Sequence, residues 1–435
     1  WTLVFLHKPL WFISERYQSF GMFDKTQWPK VEKLLHGRKH TVFAGHTHHY
    51  AQFHRNGATY YQLATTGGSS QLRGVPYGEF DHIMWLTMEP EGPYVVNLLL
   101  DGIVPGDKVT EATLAHFRKF LRDAKVEVAP ILLSPEEGLK RGQIDIRLIN
   151  AFDRPVRVTG RIEGLPLRGL RQQPVDLKLA AAKGETDQLS IGIEFDESIP
   201  VADLGSTLFR ARVETEGEDS LKADLTIPVV IDRRYECSEV KGPVVLDGSA
   251  EDWRKLKHSL PDAPLVVGPE GTWQGKGDAN VAFDFSKDQE RIYFFAQVSD
   301  DKVLPGDQIT LLFDTRPIAE RSREPGFGIG FYRIAFPAVA FEGSRTMVSG
   351  AGEKTEVVVA RQNQGYTIEA SIPAEMLSDR QGKTWHSFQA TVLLEDIDEE
   401  GQSPSKLIWR GTREVRRNNR GYGHFVAPAV DASGQ

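Results

Sequence analysis

Short apolar runs dominate the first hundred residues, and strict alternation takes over afterwards. The runs at 2–6 and 41–44 stop at His7 and at Gly45-His46; apolar runs bounded by turn signals predict buried strands. Between them, Pro29, Val31, Leu34 and Leu35 predict a helix over 26–36, with proline in its first turn. Further strands are predicted over 58–64, 83–88 and 94–100. Over 110–125, Leu114, Phe117, Leu121 and Ala124 recur at helical spacing behind Thr110, a residue type suited to an N-cap.

From Val126 the period changes to two. Ile144, Ile146 and Leu148 alternate with Asp145 and Arg147; Leu189, Ile191, Ile193 and Phe195 repeat the pattern, as do Phe209, Ala211 and Val213. Short alternating strands between Gly, Pro and Asp turns predict an antiparallel sandwich. A second all-β block follows, with Val281, Phe283 and Phe285, then Ile309, Leu311 and Phe313 alternating. Loops are marked at 268–277 and 324–330, and 429–435 reads as a tail. The expected architecture is multidomain and mainly β: a partial α/β layer over 1–125, then antiparallel β-sandwich domains over 126–235 and 236–430.

Composition narrows the function classes. The 435 residues carry 52 basic and 60 acidic side chains, a net charge of −8, which disfavours a polyanion binder because nucleic-acid affinity comes from Lys and Arg neutralising phosphates. The run Arg410–Arg420 is the basic exception. No apolar stretch approaches the roughly 20 residues that span a bilayer. The single cysteine, Cys237, allows neither an internal disulfide nor a thiolate metal cluster.

The distinctive chemistry is histidine. His7 and the pair His46 and His48 each follow an apolar strand, where α/β folds place ligand sites. In an extended segment, two imidazoles two residues apart point the same way, and neutral imidazole suits Zn, Fe, Ni and Cu and, beside carboxylates, Mn. His7, His46 and His48 are therefore expected to be metal ligands, with His49 and Tyr50 lining a substrate pocket. The stretch Gly67-Gly68-Ser69-Ser70 reads as a turn.

The run from Val4 to Pro9 (VFLHKP), followed about forty residues later by Val42 to Tyr50 (VFAGHTHHY), resembles the C-terminal half of the calcineurin-like metallophosphoesterases. The resemblance implies a dinuclear centre of Mn, Fe or Zn, with His7 and His46 on one ion and His48 on the other. It implies a metal-activated water attacking a phosphoester. The family's Asp-x-His, bridging-Asp and Gly-Asn-His motifs are missing. The expectation is thus a C-terminal fragment, inactive alone and contributing no catalytic residue beyond the ligands.

The C-terminal block carries, in order, VVLDG at 244–248, EDW at 251–253, DANVAFD at 278–284, IYFFAQVSDD at 292–301 and GDQITLLFD at 306–314. This ordered set resembles the family 9 carbohydrate-binding modules. It implies glycan attachment through aromatic faces, with Trp273 and Trp409 as candidates, and Ca²⁺ on loop acids, with Asp247, Asp300 and Asp301 as candidates. Expected partners are a phosphoester substrate and a glycan, with neither nucleic acid nor membrane span, and the expected location is periplasmic or extracellular. The alternative is a non-catalytic surface or glycan-binding protein whose phosphoesterase-like part is a remnant.

Overall fold

The structure, a computed structural model, describes residues 1–19, 23–134, 137–171, 176–240, 242–253, 255–269, 272–323, 330–339, 354–382 and 385–427. The expected tail, and most of the loop expected at 324–330, lie outside the described residues.

The apolar runs of the first segment become β1 (Thr2–Leu6) and β2 (His40–Ala44), joined through α1 (Leu10–Ser19) and α2 (Trp28–Leu35). With β3 (Ala51–Arg55) and β4 (Ala58–Gln62) they form a sheet of order β1-β2-β4-β3, in which β1, β2 and β4 run parallel. Strand β2 is central and buried throughout, as a strand covered on both faces must be. Trp11 and Trp28 from the helices pack edge-on to Tyr60 on one face. Phe43 stacks on Tyr61 on the other. Strands β5 (Ile83–Glu89), β6 (Gly92–Leu98) and β7 (Ile103–Pro105) form a separate antiparallel sheet. Helix α3 (Glu111–Asp123) starts at the expected cap: the Thr110 hydroxyl accepts from the Thr113 N–H at 3.2 Å. Its buried stripe is Leu114, Phe117 and Phe120, one residue off the expected Leu121.

The alternating strands of the middle segment form two sheets, one of three strands and one of four, closing on a core that includes Ile144, Ile146, Leu148, Phe195, Phe209 and Val213. The third segment packs a six-stranded sheet on an eight-stranded one around a larger aromatic core with Phe283, Phe285, Phe294 and Phe388. Strand Ile231–Glu236 runs through the expected 235/236 boundary. It pairs in parallel with Ile131–Leu133 on one side and Gly423–Val426 on the other, so one sheet takes strands from both modules. No helix among the described residues is long and apolar enough to cross a membrane.

Candidate functional site

Parallel pairing of β1 with β2 brings Leu6 opposite Ala44, so the chain leaves both strands at the same sheet edge. There the Gly45 N–H donates to the His7 carbonyl at 3.0 Å, locking the two loops together. His7 Nε2 lies 2.9 Å from His46 Nδ1, and both residues are exposed. Partial desolvation at the sheet edge first, then the charges of Lys8, His7 and His48, lower the His46 pKa.

The segment is not extended as expected. The Thr47 N–H donates to the Gly45 carbonyl at 3.0 Å while His46 sits at φ 76°, the signature of a strained γ-turn. His48 also has positive φ, at 57°. The two rings therefore do not share a strand face, and the three histidines do not gather round one point. His7 and His46 form a pair. His48 stands apart, with Nδ1 hydrogen-bonded to the Ser69 carbonyl of the Gly67–Ser70 turn.

The separation within the pair has a chemical reading. Two nitrogens each about 2.05 Å from one ion lie about 3.3 Å apart at the tetrahedral angle usual for zinc and about 2.9 Å apart at the right angle of a six-coordinate ion, so the pair matches the six-coordinate case. The His48 contact has one as well, because metal-bound histidines usually hold their second ring nitrogen on a carbonyl or carboxylate. The donor set thus fits imidazole-binding ions, one pair on one ion and a single ring for another. It supplies no carboxylate.

Two expected pocket residues are corrected. Tyr50 is fully buried, and its hydroxyl donates to the Gly106 carbonyl at 2.7 Å; burial pushes its pKa above the ordinary range. It is a core residue, not part of an open pocket. His49 has both ring nitrogens engaged, Nδ1 on the Thr47 carbonyl at 2.6 Å and Nε2 on Glu79 Oε1 at 3.0 Å. Glu79 is in turn gripped by Arg73, which holds its pKa down. The His49 ring has no nitrogen left for substrate.

The C-terminal module corrects further expectations. Trp273 and Trp409 are partly buried and pack on the core rather than standing as platforms. The Trp273 indole donates to the Ala279 carbonyl at 3.0 Å. Trp409 is wedged among Tyr235, His258, Phe283 and Phe425. Asp247 is an exposed turn residue whose Oδ1 accepts the Ser249 N–H at 2.7 Å, and it is not part of the acidic cluster described next.

Asp300 and Asp301 do lie in a cluster of acids, and the sequence reading missed its other members. Carboxylate oxygens of Asp278, Asp301 and Asp398 all fall within 4.8 Å of one another, the sole such group of metal-ligating side chains among the described residues. Beside them Asp300 and Asp396 are buried, each with an Oδ2 that has no hydrogen-bond partner, and the buried Tyr366 hydroxyl is likewise unpartnered. Burial, reinforced by neighbouring carboxylates, raises Asp307 to about 7 and Asp396 to about 8. Strand register explains the gathering: Ala279 pairs with Asp300, and Gln308 with Glu395, so acids flanking those pairs meet at one end of the sandwich. The recoverable signal was an Asp at each of several strand ends.

No family model matches the sequence, and no curated protein matches it either. Among solved structures, a family 9 carbohydrate-binding module from Caldicellulosiruptor kristjanssonii in complex with cellotriose is similar at 14% identity and a TM-score of 0.33, covering 46% of this chain and 96% of that one. The same kind of module in complex with glucose gives 16% identity and 0.34, covering 47% and 100%. A carbohydrate-binding protein from Bacteroides uniformis gives 10% and 0.29, covering 45% and 98%. Likenesses at that level leave the reading of both sites to their own geometry.

Proposed function

We propose that the intact protein hydrolyses a phosphoester at a dinuclear metal centre, to which this chain contributes His7 and His46 on one ion and His48 on the other. The observation that carries this reading is the 2.9 Å approach of His7 Nε2 to His46 Nδ1 at the ends of adjacent parallel strands. Bound transition-metal ions would supply an activated water and charge neutralisation at phosphorus. The chain's own residues orient the donors: the His7 carbonyl pins Gly45, and Ser69 fixes the His48 ring. Among the described residues no carboxylate joins the three imidazoles, so this chain alone should bind metal without turnover.

Titration with Co²⁺ followed by visible absorption tests the assignment. His7→Ala and His46→Ala should each abolish the first binding event, and His48→Ala should spare it. Equal binding by all three variants would overturn the assignment.

A second reading is a non-catalytic surface or glycan-binding protein with a structural remnant in its first 125 residues. The same His7–His46 contact favours it in one respect: two imidazoles 2.9 Å apart satisfy each other as donor and acceptor without any cation. Absence of Co²⁺ binding by the unmodified chain selects this reading.

We further propose Ca²⁺ as the occupant of the Asp278, Asp301 and Asp398 cluster. Hard cations take carboxylate oxygens, and orphaned buried acids with raised pKa values are what a missing counter-charge leaves behind.

A further inference from the structure

The basic run Arg410–Arg420 stands out in a chain of net charge −8, and neither site above uses it. It folds over the outer face of the eight-stranded sheet. In that sheet Leu311, Leu394 and Leu407 point into the main core, while Leu312, Leu393 and Ile408 form a second apolar cluster on the opposite face. Val415 and Tyr422 close down on this second cluster, and the Tyr422 hydroxyl donates to the Val415 carbonyl.

The closure leaves a cavity of about 250 Å³, floored by Val267, Leu393, Ile408 and Val415. Lys406, Arg413, Arg416 and Arg417 line it, with Glu414 as the acid among them. Arg416 is spent on the buried Glu395, although its Nε is buried without a hydrogen-bond partner. Salt bridges within the described residues engage none of Lys406, Arg413 and Arg417. Three cations outside any salt bridge, against the single acid Glu414, therefore leave the rim of an apolar floor net positive.

That combination selects a ligand with anionic groups at its edge and one apolar face. The volume suits a single ring, being smaller than a drug-sized pocket of roughly 300–1,000 Å³. No aromatic side chain lines the cavity, so a nucleobase has no stacking partner. We propose that the cavity binds one acidic pyranose residue, sulfated or carboxylated, with its C–H face on Val267 and Ile408. Arg413 and Arg417 supply planar forks to the acid oxygens, and Lys406 adds a point charge. This rests on the glycan-binding reading of the module and adds the charge class of the sugar.

Isothermal titration calorimetry on the full chain tests it, with four probes: a sulfated galactan oligosaccharide, an oligoglucuronide, a neutral cello-oligosaccharide and inorganic sulfate. Binding of an acidic oligosaccharide, weakened at least about tenfold by the double substitution R413Q/R417Q and reduced by added salt, is the expected result. Both arginines are exposed, so the variant should fold, which circular dichroism checks. A neutral oligosaccharide bound as tightly as the acidic ones overturns the inference and leaves the glycan reading standing. Inorganic sulfate bound as tightly as the sulfated sugar also overturns it, since the cavity would then hold a bare anion. No carbohydrate bound at all removes the inference and the glycan reading together.

Discussion

Arg410 grips Asp232 with one guanidinium nitrogen, Nη2 lying 2.8 and 3.0 Å from the two carboxylate oxygens, across 178 residues of sequence. Its Nη1 donates to the Tyr235 hydroxyl at 2.7 Å, so the side chain clamps the strand shared by the middle and C-terminal modules. Asp232 is largely buried, and removing its partner leaves a carboxylate short of donors. Arg410→Gln should cost about 2–3 kcal/mol, read as a lower midpoint in urea unfolding. Arg410→Lys should recover only part of it, because an ammonium cannot reach both Asp232 and Tyr235 in one plane.

Glu369 is a fully buried acid whose oxygens accept from the Asp247 N–H at 3.0 Å, the Gly248 N–H at 2.9 Å and the Trp253 indole at 3.0 Å. Three donors on one carboxylate hold the segment 247–253 against the sandwich, where Trp253 stacks on Phe295. Glu369→Ala removes all three acceptor contacts and should release the segment. The measurement is tryptophan fluorescence quenching by acrylamide, which should rise, together with proteolytic cleavage near 247–253 under conditions where the unmodified chain resists.

The two sandwiches were legible because a strand with one buried face writes its period directly into the sequence, as at Ile144, Ile146 and Leu148. The strands before His7 and Gly45 were legible for a different reason: a strand covered on both faces, as β2 is, reads as an unbroken apolar run bounded by turn signals. What one-dimensional spacing could not supply was local backbone conformation: an extended Gly45–His48 was expected, yet Thr47 closes a γ-turn around His46. Nor could it tell that Tyr50 turns inward to Gly106, 56 residues away. The acid cluster was half visible, since Asp300 and Asp301 are adjacent, whereas Asp278 and Asp398 join them only through strand register. Helix α1 was missed outright, because its apolar residues Leu10, Trp11, Phe12 and Ile13 are consecutive and trace no stripe at helical spacing.

The raised carboxyls predict an unusual pH profile. Asp307 and Asp396 move from the ordinary 3.8 to about 7 and about 8 on folding. Between those limits the native state holds more protons than the unfolded chain, so stability falls as pH rises. Their contribution is fullest below about pH 4 and is lost as pH climbs through 7 and 8. Ca²⁺ bound as proposed would replace the protons as counter-charge and should flatten the decline. Thermal midpoints measured across the range from about pH 5 to about pH 9, with EDTA and with Ca²⁺, should diverge increasingly toward the alkaline side. Parallel curves would mean that no cation binds there.

His46 pays for its position in backbone strain, at φ 76° in a γ-turn. A residue held so costs of order 1–3 kcal/mol unless the surroundings compensate, and such residues cluster where geometry serves chemistry. Glycine adopts the conformation freely. His46→Gly should therefore stabilise the apo chain by about 1 kcal/mol, after its extra unfolded-state entropy and the lost His7 contact are subtracted. The same substitution should abolish Co²⁺ binding at the pair. Differential scanning calorimetry of the metal-free variant beside the unmodified chain measures the first effect and absorption titration the second. A destabilised variant would mean that the turn is relaxed around histidine and that no strain is held there for a metal.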